Sequence, residues 1–579
     1  MIRMIRAPWL LVGGMALLIA PAGPPPVRSE RAPNIVVIVV DDLGYGDLGA
    51  YGGTDIPTPN IDALAAGGIR FTDAYVTGPY CSPTRAGLLT GRYPQRFGHE
   101  FNIGVTPAHR DVGLPLDQTT MADRLKAAGY RTALIGKWHL GAAPPFFPTR
   151  RGFDEFFGFL TGAHSYVGPT AQINPIYDGS EIVRAIPYLT DTLASRAVEF
   201  IHRNRSQPFF LYLAFNAPHV PLQATEKYRA RVSQIADPER RTYAAMLSAL
   251  DDGIGRTLEA LRAEQLEGET LIFFFSDNGG PLGDDWNGAS NRPLRGDKST
   301  TWEGGIRVPF VIRWKGRLPA GRTEARPIIQ LDVLPTVLAA AGVAGPPDGH
   351  LDGVNLLPFL TGAASGAPHD ALYWRLGSIM AIRMGDWKLV KMVQGGANDE
   401  PAKLTLDGAE LFNVRDDVRE RDNLAARYPD RVKDLGEVWQ RWARGLAVPA
   451  WPPPQGFRGV ARGCVDQSFA ATPIVPYAGT WRGALTLLEA PVTWTQRSDS
   501  AGAFTIGGDS AVTTRIAFVS TDSIVFDLAK TVRAPNTTED LSVRVVASLC
   551  GEELTGLVFF RRPNGAVRRV PLTATRAPR

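Results

Sequence analysis

Short, continuously apolar runs alternate with segments of helical periodicity over most of this chain. The runs lack the polar alternation of a half-exposed strand, so they indicate strands buried on both faces. They read NIVVIVV, RTALIG, PFFLYLAF, TLIFFFS and VPFVIRW. Helical patterns separate them, and this order predicts an α/β fold with a mostly parallel sheet between helices. Ligands of such sheets bind beyond the carboxyl ends of the strands, so the residues after each run are the first site candidates.

The pattern changes further along the 579-residue chain, which is long enough for more than one folding unit. We expect the α/β core at 34–365 and a small subdomain of antiparallel strands and one helix at 366–448. A Pro-rich linker is predicted at 449–466. Short β-type runs separated by turn residues then predict an extra all-β barrel or sandwich at 467–579.

Residues 1–22 have the pattern of a cleavable secretory signal, with two Arg, an apolar run and Ala20 and Ala22 at A-x-A spacing. The apolar run is too short and too interrupted by Gly for a stable membrane span, and an uncleaved anchor is the alternative. We therefore expect export to a periplasm or to the outside of the cell. The formal net charge of +4, without a basic run interleaved with aromatics, gives no reason to expect a nucleic-acid partner.

Two polar pairs directly follow two of the apolar runs. Asp41 and Asp42 end the first run, and Asp277 and Asn278 end TLIFFFS. Adjacent carboxylates repel one another unless a positive charge holds them. Each pair alone is more simply a helix cap or an Asx-turn. Together they supply oxygen ligands suited to Ca²⁺, with Mg²⁺ as the second choice.

Four cations or proton carriers also lie beside apolar runs. Lys137 and His139 follow RTALIG, His219 follows PFFLYLAF, and Lys298 precedes VPFVIRW in a Gly-rich loop. Each alone is more simply a surface cation or a loop histidine. As a set they suit an anionic substrate whose leaving group must be protonated.

The stretch CSPTRAGLLTGR opens with Cys81 and contains Arg85. A Pro two residues after Cys81 predicts that the Cys begins a helix, where anions and thiolates are favoured. Cys464 and Cys550 lie far from it and are predicted to pair with each other. From the residues alone, Cys81 could be a buried structural thiol, a metal ligand or a nucleophile activated by a His.

The same stretch resembles the signature of the type I sulfatases, C-x-P-x-R followed by T-G-R. The resemblance runs from about residue 34 to about residue 445 through ordered motifs. They are VVDDLGYGD, CSPTRAGLLTG, GKWHLG, APHVP, SDNGG and GDKSTTWEGGIRVP. ELFNVRDDVRERDNLA is similar to the C-terminal subdomain of that family. The resemblance implies the alkaline phosphatase-like fold.

The resemblance also implies that Cys81 is not used as a thiol. In that family a formylglycine-generating enzyme oxidises the motif Cys to 3-oxoalanine (formylglycine), whose hydrate is the nucleophile. It further implies roles for the candidates above. The Ca²⁺ ligands would be Asp41, Asp42, Asp277, Asn278 and the modified Cys81. Arg85 would orient the hydrate, and Lys137 and Lys298 would hold the sulfate. His139 would be the elimination base, and His219, with Lys298, would protonate the leaving oxygen.

The sequence therefore predicts an exported sulfatase for sulfate monoesters of aryl or carbohydrate alcohols. Its expected partners are a sulfated small molecule or glycan and, during maturation, the formylglycine-generating enzyme. The alternatives are a phosphonate monoester or phosphodiester hydrolase on the same scaffold, and an exported binding protein with a degenerate site. His99, His109 and His164 are candidates for the lining of the substrate pocket.

Overall fold

The computed structural model describes residues 31–104, 109–169, 174–282, 287–346, 349–392 and 406–451, and the backbone of the strands between 479 and 576. The predicted signal segment, Cys464 and most of the predicted linker lie outside the described residues, and so does the side chain of Cys550. No helix within the described ranges is both long and apolar enough to cross a membrane.

Within the described ranges, the strands that precede residue 414 are β1 (Asn34–Val40), β2 (Ile69–Phe71), β3 (Ala74–Tyr75), β4 (Arg131–Lys137), β5 (Glu155–Phe159), β6 (Gly168–Pro169), β7 (Ile176–Asp178), β8 (Glu181–Val183), β9 (Ala185–Ile186), β10 (Phe209–Ala214), β11 (Thr270–Ser276), β12 (Phe310–Arg313), β13 (Arg322–Glu324), β14 (Ile328–Ile329), β15 (Leu372–Leu376), β16 (Ile379–Met384), β17 (Trp387–Lys391) and β18 (Glu410–Asn413). The α-helices of the same ranges are α1 (Pro59–Ala66), α2 (Cys81–Thr90), α3 (Met121–Ala127), α4 (Leu189–Asn204), α5 (Glu226–Arg229), α6 (Pro238–Ala263), α7 (Glu303–Ile306), α8 (Val333–Ala341), α9 (Leu357–Thr361) and α10 (Pro429–Ala443).

The large central sheet has the strand order β13-β2-β12-β11-β1-β10-β4-β5-β7-β8 among the described residues. Its middle is parallel, with β11, β1, β10, β4 and β5 all pointing the same way. β12 runs antiparallel to β11, although its three buried residues, Phe310, Val311 and Ile312, are as apolar as those of the parallel strands. The predicted α/β fold with a mostly parallel sheet is confirmed.

Helices cover both faces of this sheet. Alternate residues of β1 show this directly, because Val36, Ile38 and Val40 join one apolar cluster while Ile35 and Val37 join the other. The first cluster includes residues of α1, α4 and α6, and the second includes residues of α2, α3 and α8. A strand buried on both faces cannot alternate polar and apolar residues, which explains the continuous apolar run.

A smaller antiparallel sheet, β15-β16-β17-β18, follows the α/β core, and α10 packs on it. Lys388 of β17 joins this sheet to the core. Its ammonium lies 2.8 Å from Glu303 of α7 and 2.9 Å from Glu420, and all three side chains are buried. The predicted separate antiparallel sheet with one helix is confirmed.

The described strand backbones after residue 478 form another antiparallel sheet. They are β19 (Gly479–Leu485), β20 (Ala490–Ser498), β21 (Ala501–Ile506), β22 (Val512–Ser520), β23 (Ser523–Asp527), β24 (Val532–Arg533), β25 (Asp540–Cys550), β26 (Glu553–Arg561) and β27 (Val567–Arg576). Their order is β23-β22-β21-β20-β19-β27-β26-β25-β24, and an additional pairing of β23 with β25 closes the sheet on itself. Closure into a barrel leaves few unpaired strand edges.

Candidate active site

The two polar pairs lie side by side at the carboxyl end of the central sheet. β1 and β11 are parallel neighbours whose last residues, Val40 and Ser276, are paired. Asp41 and Asp277 therefore follow at the same level, and the Asp277 amide donates to the Val40 carbonyl at 3.0 Å. Asp42 has a φ of +64°, which turns the chain sharply after the strand.

Cys81 lies against these carboxylates. It is the first residue of α2, and its Sγ is 3.3 Å from Asp41 Oδ1. One turn later, Arg85 donates from Nε and Nη2 to Asp277 Oδ2 at 3.0 and 2.7 Å. Arg85 also donates to the Lys137 carbonyl at 3.2 Å, which ties the helix to the end of β4.

Two lysines pair with the two Asp residues that follow β1. Lys137 Nζ lies 2.5 Å from Asp41 Oδ2, and both side chains are fully buried. Lys298 Nζ lies 2.7 and 2.8 Å from the two carboxylate oxygens of Asp42 and is partly exposed. Lysine is a compact point charge, so each ammonium can hold a carboxylate or an anionic ligand.

Two histidines stand beside the same carboxylates. His139 has a φ of +58°, and its Nε2 lies 2.9 Å from the Ile103 carbonyl, while its buried Nδ1 has no hydrogen-bond partner within the described ranges. His219 donates from Nδ1 to the Val220 carbonyl at 2.6 Å, and its Nε2 faces Asp42 at 3.6 Å. Burial lowers the pKa of His219 to about 3 and that of His139 well below its ordinary value, so both rings are neutral here.

The charges around Cys81 oppose the thiolate that the helix N-terminus was expected to favour. Burial raises the pKa of the Cys81 thiol, and the charges of Asp277 and Asp41 raise it further. A weak helix-end effect does not offset full burial beside two carboxylates. The thiol is therefore protonated at neutral pH, and no hydrogen bond joins it to a His of the described chain, as a thiol nucleophile needs; its partner is Asp41.

The residues fit a divalent cation. Ligand atoms of Asp41, Asp42, Cys81 and His219 all lie within 4.8 Å of one another. Among the residues that the structure describes, none forms a hydrogen bond with the buried Oδ1 of Asn278, while its Nδ2 donates to Asp42 Oδ1 at 2.7 Å. A buried amide oxygen left unpaired is costly unless a ligand completes its bonding. Carboxylate and amide oxygens favour a hard cation such as Ca²⁺.

The structure also shows contacts that the sequence did not predict. His99, proposed above as a pocket residue, is fully buried, and its Nε2 lies 2.5 Å from Ser82 Oγ, immediately behind Cys81. His109 is also buried, and its Nδ1 accepts from the Gly104 amide at 2.8 Å. His164 uses Nδ1 to donate to the Ser165 carbonyl at 2.6 Å. No local pattern in the sequence predicts the Ser82–His99 contact.

Comparison with known proteins identifies the family. The model described as Sulfatase matches residues 33–343, and the model described as N-sulphoglucosamine sulphohydrolase, C-terminal, matches residues 296–437. The N-acetylgalactosamine-6-sulfatase of Canis lupus familiaris is 36% identical over 399 residues, which cover 65% of this chain and 74% of that protein. The chain belongs to the sulfatase family. It is an enzyme that hydrolyses sulfate esters.

A second curated relative and a solved structure each match more than two thirds of this chain. Arylsulfatase A of Bos taurus is 35% identical over 462 residues, covering 72% of this chain and 87% of the relative. A solved structure of Ps i-CgsB in complex with k-i-k-neocarrahexaose has a TM-score of 0.67 and 37% identity. That match covers 73% of this chain and 96% of the other. The fold-family prediction, an alkaline phosphatase-like sulfatase, is confirmed.

Proposed function

We propose that this sulfatase cleaves sulfate monoesters of carbohydrates, using a formylglycine made from Cys81 and a bound Ca²⁺. The observation that carries the proposal is the position of Cys81. Its Sγ lies 3.3 Å from Asp41, inside a buried cluster of carboxylates and cations, and burial keeps the thiol protonated. A protonated thiol is a poor nucleophile, whereas an aldehyde hydrate at the same position offers two hydroxyl groups.

The cation would be held by Asp41, Asp42, Asp277 and Asn278, together with the modified Cys81. A bound divalent cation would lower the pKa of a ligated hydroxyl and help to neutralise charge on the sulfate. The unpaired Asn278 Oδ1 supports this set, because a cation would give that oxygen its missing partner.

The cations of the cluster would bind and orient the reacting groups. Lys137 and Lys298 would hold the sulfate oxygens, and Arg85, fixed by Asp277, would orient the hydrate. His219 would give a proton to the leaving oxygen as the bond between sulfur and that oxygen breaks. Because its Nδ1–H donates to Val220, the neutral ring has a lone pair on Nε2, and His219 would act as the acid only after Nε2 takes up a proton, which the negative charge of a bound sulfate ester would favour.

His139 would complete the cycle. It would take the proton of the second hydroxyl on residue 81 while the bond between that carbon and the sulfate oxygen breaks. The aldehyde then re-forms, and water adds to it for the next turnover. Because Nε2 of His139 faces the Ile103 carbonyl and must donate to it, Nδ1 carries the lone pair that accepts the proton.

The names of the relatives suggest the substrate class. One is a sulfatase of N-acetylgalactosamine, and another binds k-i-k-neocarrahexaose, a hexaose. Both suggest a sulfated sugar or glycan for this enzyme. We also propose that the protein is exported, on the pattern of residues 1–22, and that it meets a formylglycine-generating enzyme during maturation. Mass measurement of the secreted or periplasmic protein tests the cleavage after residue 22.

The mass of the tryptic peptide that contains residue 81 tests the nucleophile. We expect the mass of an aldehyde or its hydrate in active enzyme, and a purified Cys81→Ala variant with no measurable turnover. Fully active enzyme whose residue 81 is an unmodified thiol would refute the proposal. Paired aryl sulfate and phosphonate substrates test the reaction class, and a preference for the phosphonate by orders of magnitude would favour the alternative hydrolase.

A further inference from the structure

The last described residues before the C-terminal strands lie directly behind the active site. The Ala447 amide donates to the Gln95 carbonyl at 3.0 Å, and the Ala450 amide donates to the Gly98 carbonyl at 2.9 Å. Trp451 follows and is 4% exposed. This stretch lies beyond residue 437, where the second matched family model ends.

Trp451 holds the segment that follows the signature helix. Its ring packs edge-on against the His99 ring, with 4.6 Å between the ring centroids. Its indole N–H donates to the Phe101 carbonyl at 3.2 Å. Trp451, Phe101 and Ile103 also share one buried apolar cluster. Both the packing and the hydrogen bond therefore restrain residues 99–103.

Residues 99–103 in turn contact Ser82, which follows Cys81, and His139. His99 Nε2 lies 2.5 Å from Ser82 Oγ, and Asn102 Oδ1 accepts from the Ser82 amide at 2.9 Å. Ser82 directly follows Cys81. The Ile103 carbonyl lies 2.9 Å from His139 Nε2. One short segment thus touches the first turn of α2 and the ring proposed as the elimination base.

We propose that Trp451 is a positioning residue for the sulfatase reaction, acting through residues 99–103 on residue 81 and on His139. The inference rests on the roles proposed for Cys81 and His139. Without Trp451, the His99 ring loses its packing and the Phe101 carbonyl loses its donor, so both contacts to the site can shift. A misplacement of about 1 Å can cost on the order of 100-fold in turnover. Substrate binding by Lys137 and Lys298 is expected to change little, because none of the contacts described for Trp451 involves either lysine.

Trp439 provides a matched control. It is 3% exposed, and its indole N–H donates to the Trp374 carbonyl at 3.0 Å, but it lies in α10 on the small sheet. Replacement of either Trp by Phe removes one similar hydrogen bond, and replacement by Ala also removes the ring. General destabilisation would therefore affect the two positions alike.

The test compares Trp451→Phe and Trp451→Ala with Trp439→Phe and Trp439→Ala, measuring kcat, KM and melting temperature. Residue 81 is quantified by mass, so kcat is expressed per aldehyde-bearing molecule. We expect kcat to fall about threefold in Trp451→Phe and about 10- to 100-fold in Trp451→Ala, with KM within about threefold of wild type. The Trp439 variants should keep the wild-type kcat.

Equal kcat losses at the two positions, or a rise in KM with unchanged kcat in the Trp451 variants, would overturn the proposal. Should Trp451→Ala not fold, Trp451→Phe decides, because it keeps the ring against His99. If fully active wild-type enzyme carries no aldehyde, the proposed nucleophile is wrong, and kcat per folded molecule still decides the role of Trp451.

Discussion

Lys388 is the residue whose replacement most directly tests how the small sheet is held to the α/β core. Its ammonium lies 2.8 Å from Glu303 and 2.9 Å from Glu420 with no exposed side-chain surface. Lys388→Met keeps a side chain of similar length and apolar stem but removes the charge. Two buried carboxylates then face one another without the cation between them.

The structure sets the size and the pH dependence of the effect. Breaking a buried ion pair by removing one partner costs about 3–5 kcal/mol. We expect about 3 kcal/mol, because Glu303 retains Arg307 at 3.0 Å. Burial already raises the pKa of Glu420 to about 7, and loss of Lys388 raises it further. A raised carboxyl pKa means that the folded state binds more protons than the unfolded state, so stability of the variant falls as pH rises. The penalty should therefore be larger at pH 8 than at pH 5.

Urea unfolding at pH 5 and pH 8, followed by tryptophan fluorescence, measures this penalty. The double variant Lys388→Met, Glu420→Gln removes the carboxylate left unpaired, while the amide oxygen of Gln can still accept from the Glu303 backbone N–H, the bond that Glu420 now makes at 2.8 Å. We expect the double variant to recover half or more of the loss at pH 8. A Lys388→Met variant within about 1 kcal/mol of wild type at pH 8, or no gain from the second change, would refute the ion-pair account.

Three further results are expected. Removing Ca²⁺ with a chelator should abolish sulfatase activity, measured by turnover, and lower the melting temperature, measured by calorimetry. Added Ca²⁺ should restore both. His219→Ala should reduce kcat at least about tenfold more on a carbohydrate sulfate than on 4-nitrophenyl sulfate, whose leaving group needs no proton. Burial alone would lower the pKa of His369, but Asp332 at 2.8 Å raises it, so this pair stabilises the fold at acidic pH and loses its contribution as pH rises through the raised pKa. The melting-temperature difference between wild type and His369→Gln should therefore shrink from pH 6 to pH 9.

The fold could be predicted from sequence because burial on both faces leaves a continuous apolar run. β1, β10 and β11 all show it, and all three are central strands. The direction of a strand could not be predicted from the sequence in the same way. The three buried residues of β12 are equally apolar, yet this strand is antiparallel. An apolar run reports burial and not the direction of the chain. The closure of the C-terminal sheet through β23 and β25 is likewise a long-range pairing that no local pattern encodes.

The placement of the polar pairs follows from the same physics. Neighbouring parallel strands end at one edge of the sheet, so Asp41 and Asp277 meet there. The state of the Cys81 thiol could not be predicted in this way, because the two carboxylates that oppose its ionisation are distant in sequence. Trp451 was beyond sequence reasoning for a similar reason. It meets His99 across more than 300 residues of chain, and neither residue lies in a pattern that points to the other.

Charge balance explains why one cluster would contain both a cation site and an anion site. Its carboxylates are Asp41, Asp42 and Asp277, and its fixed cations are Arg85, Lys137 and Lys298. These three negative and three positive charges cancel, with both histidines neutral. A divalent cation would add two positive charges to a buried site, which is costly unless anions accompany it. A sulfate monoester supplies one negative charge and an ionised nucleophile supplies the second. Because the lysines now bound to Asp41 and Asp42 would be released when a cation takes those carboxylates, the same change that creates the excess charge would also free the groups that hold the sulfate.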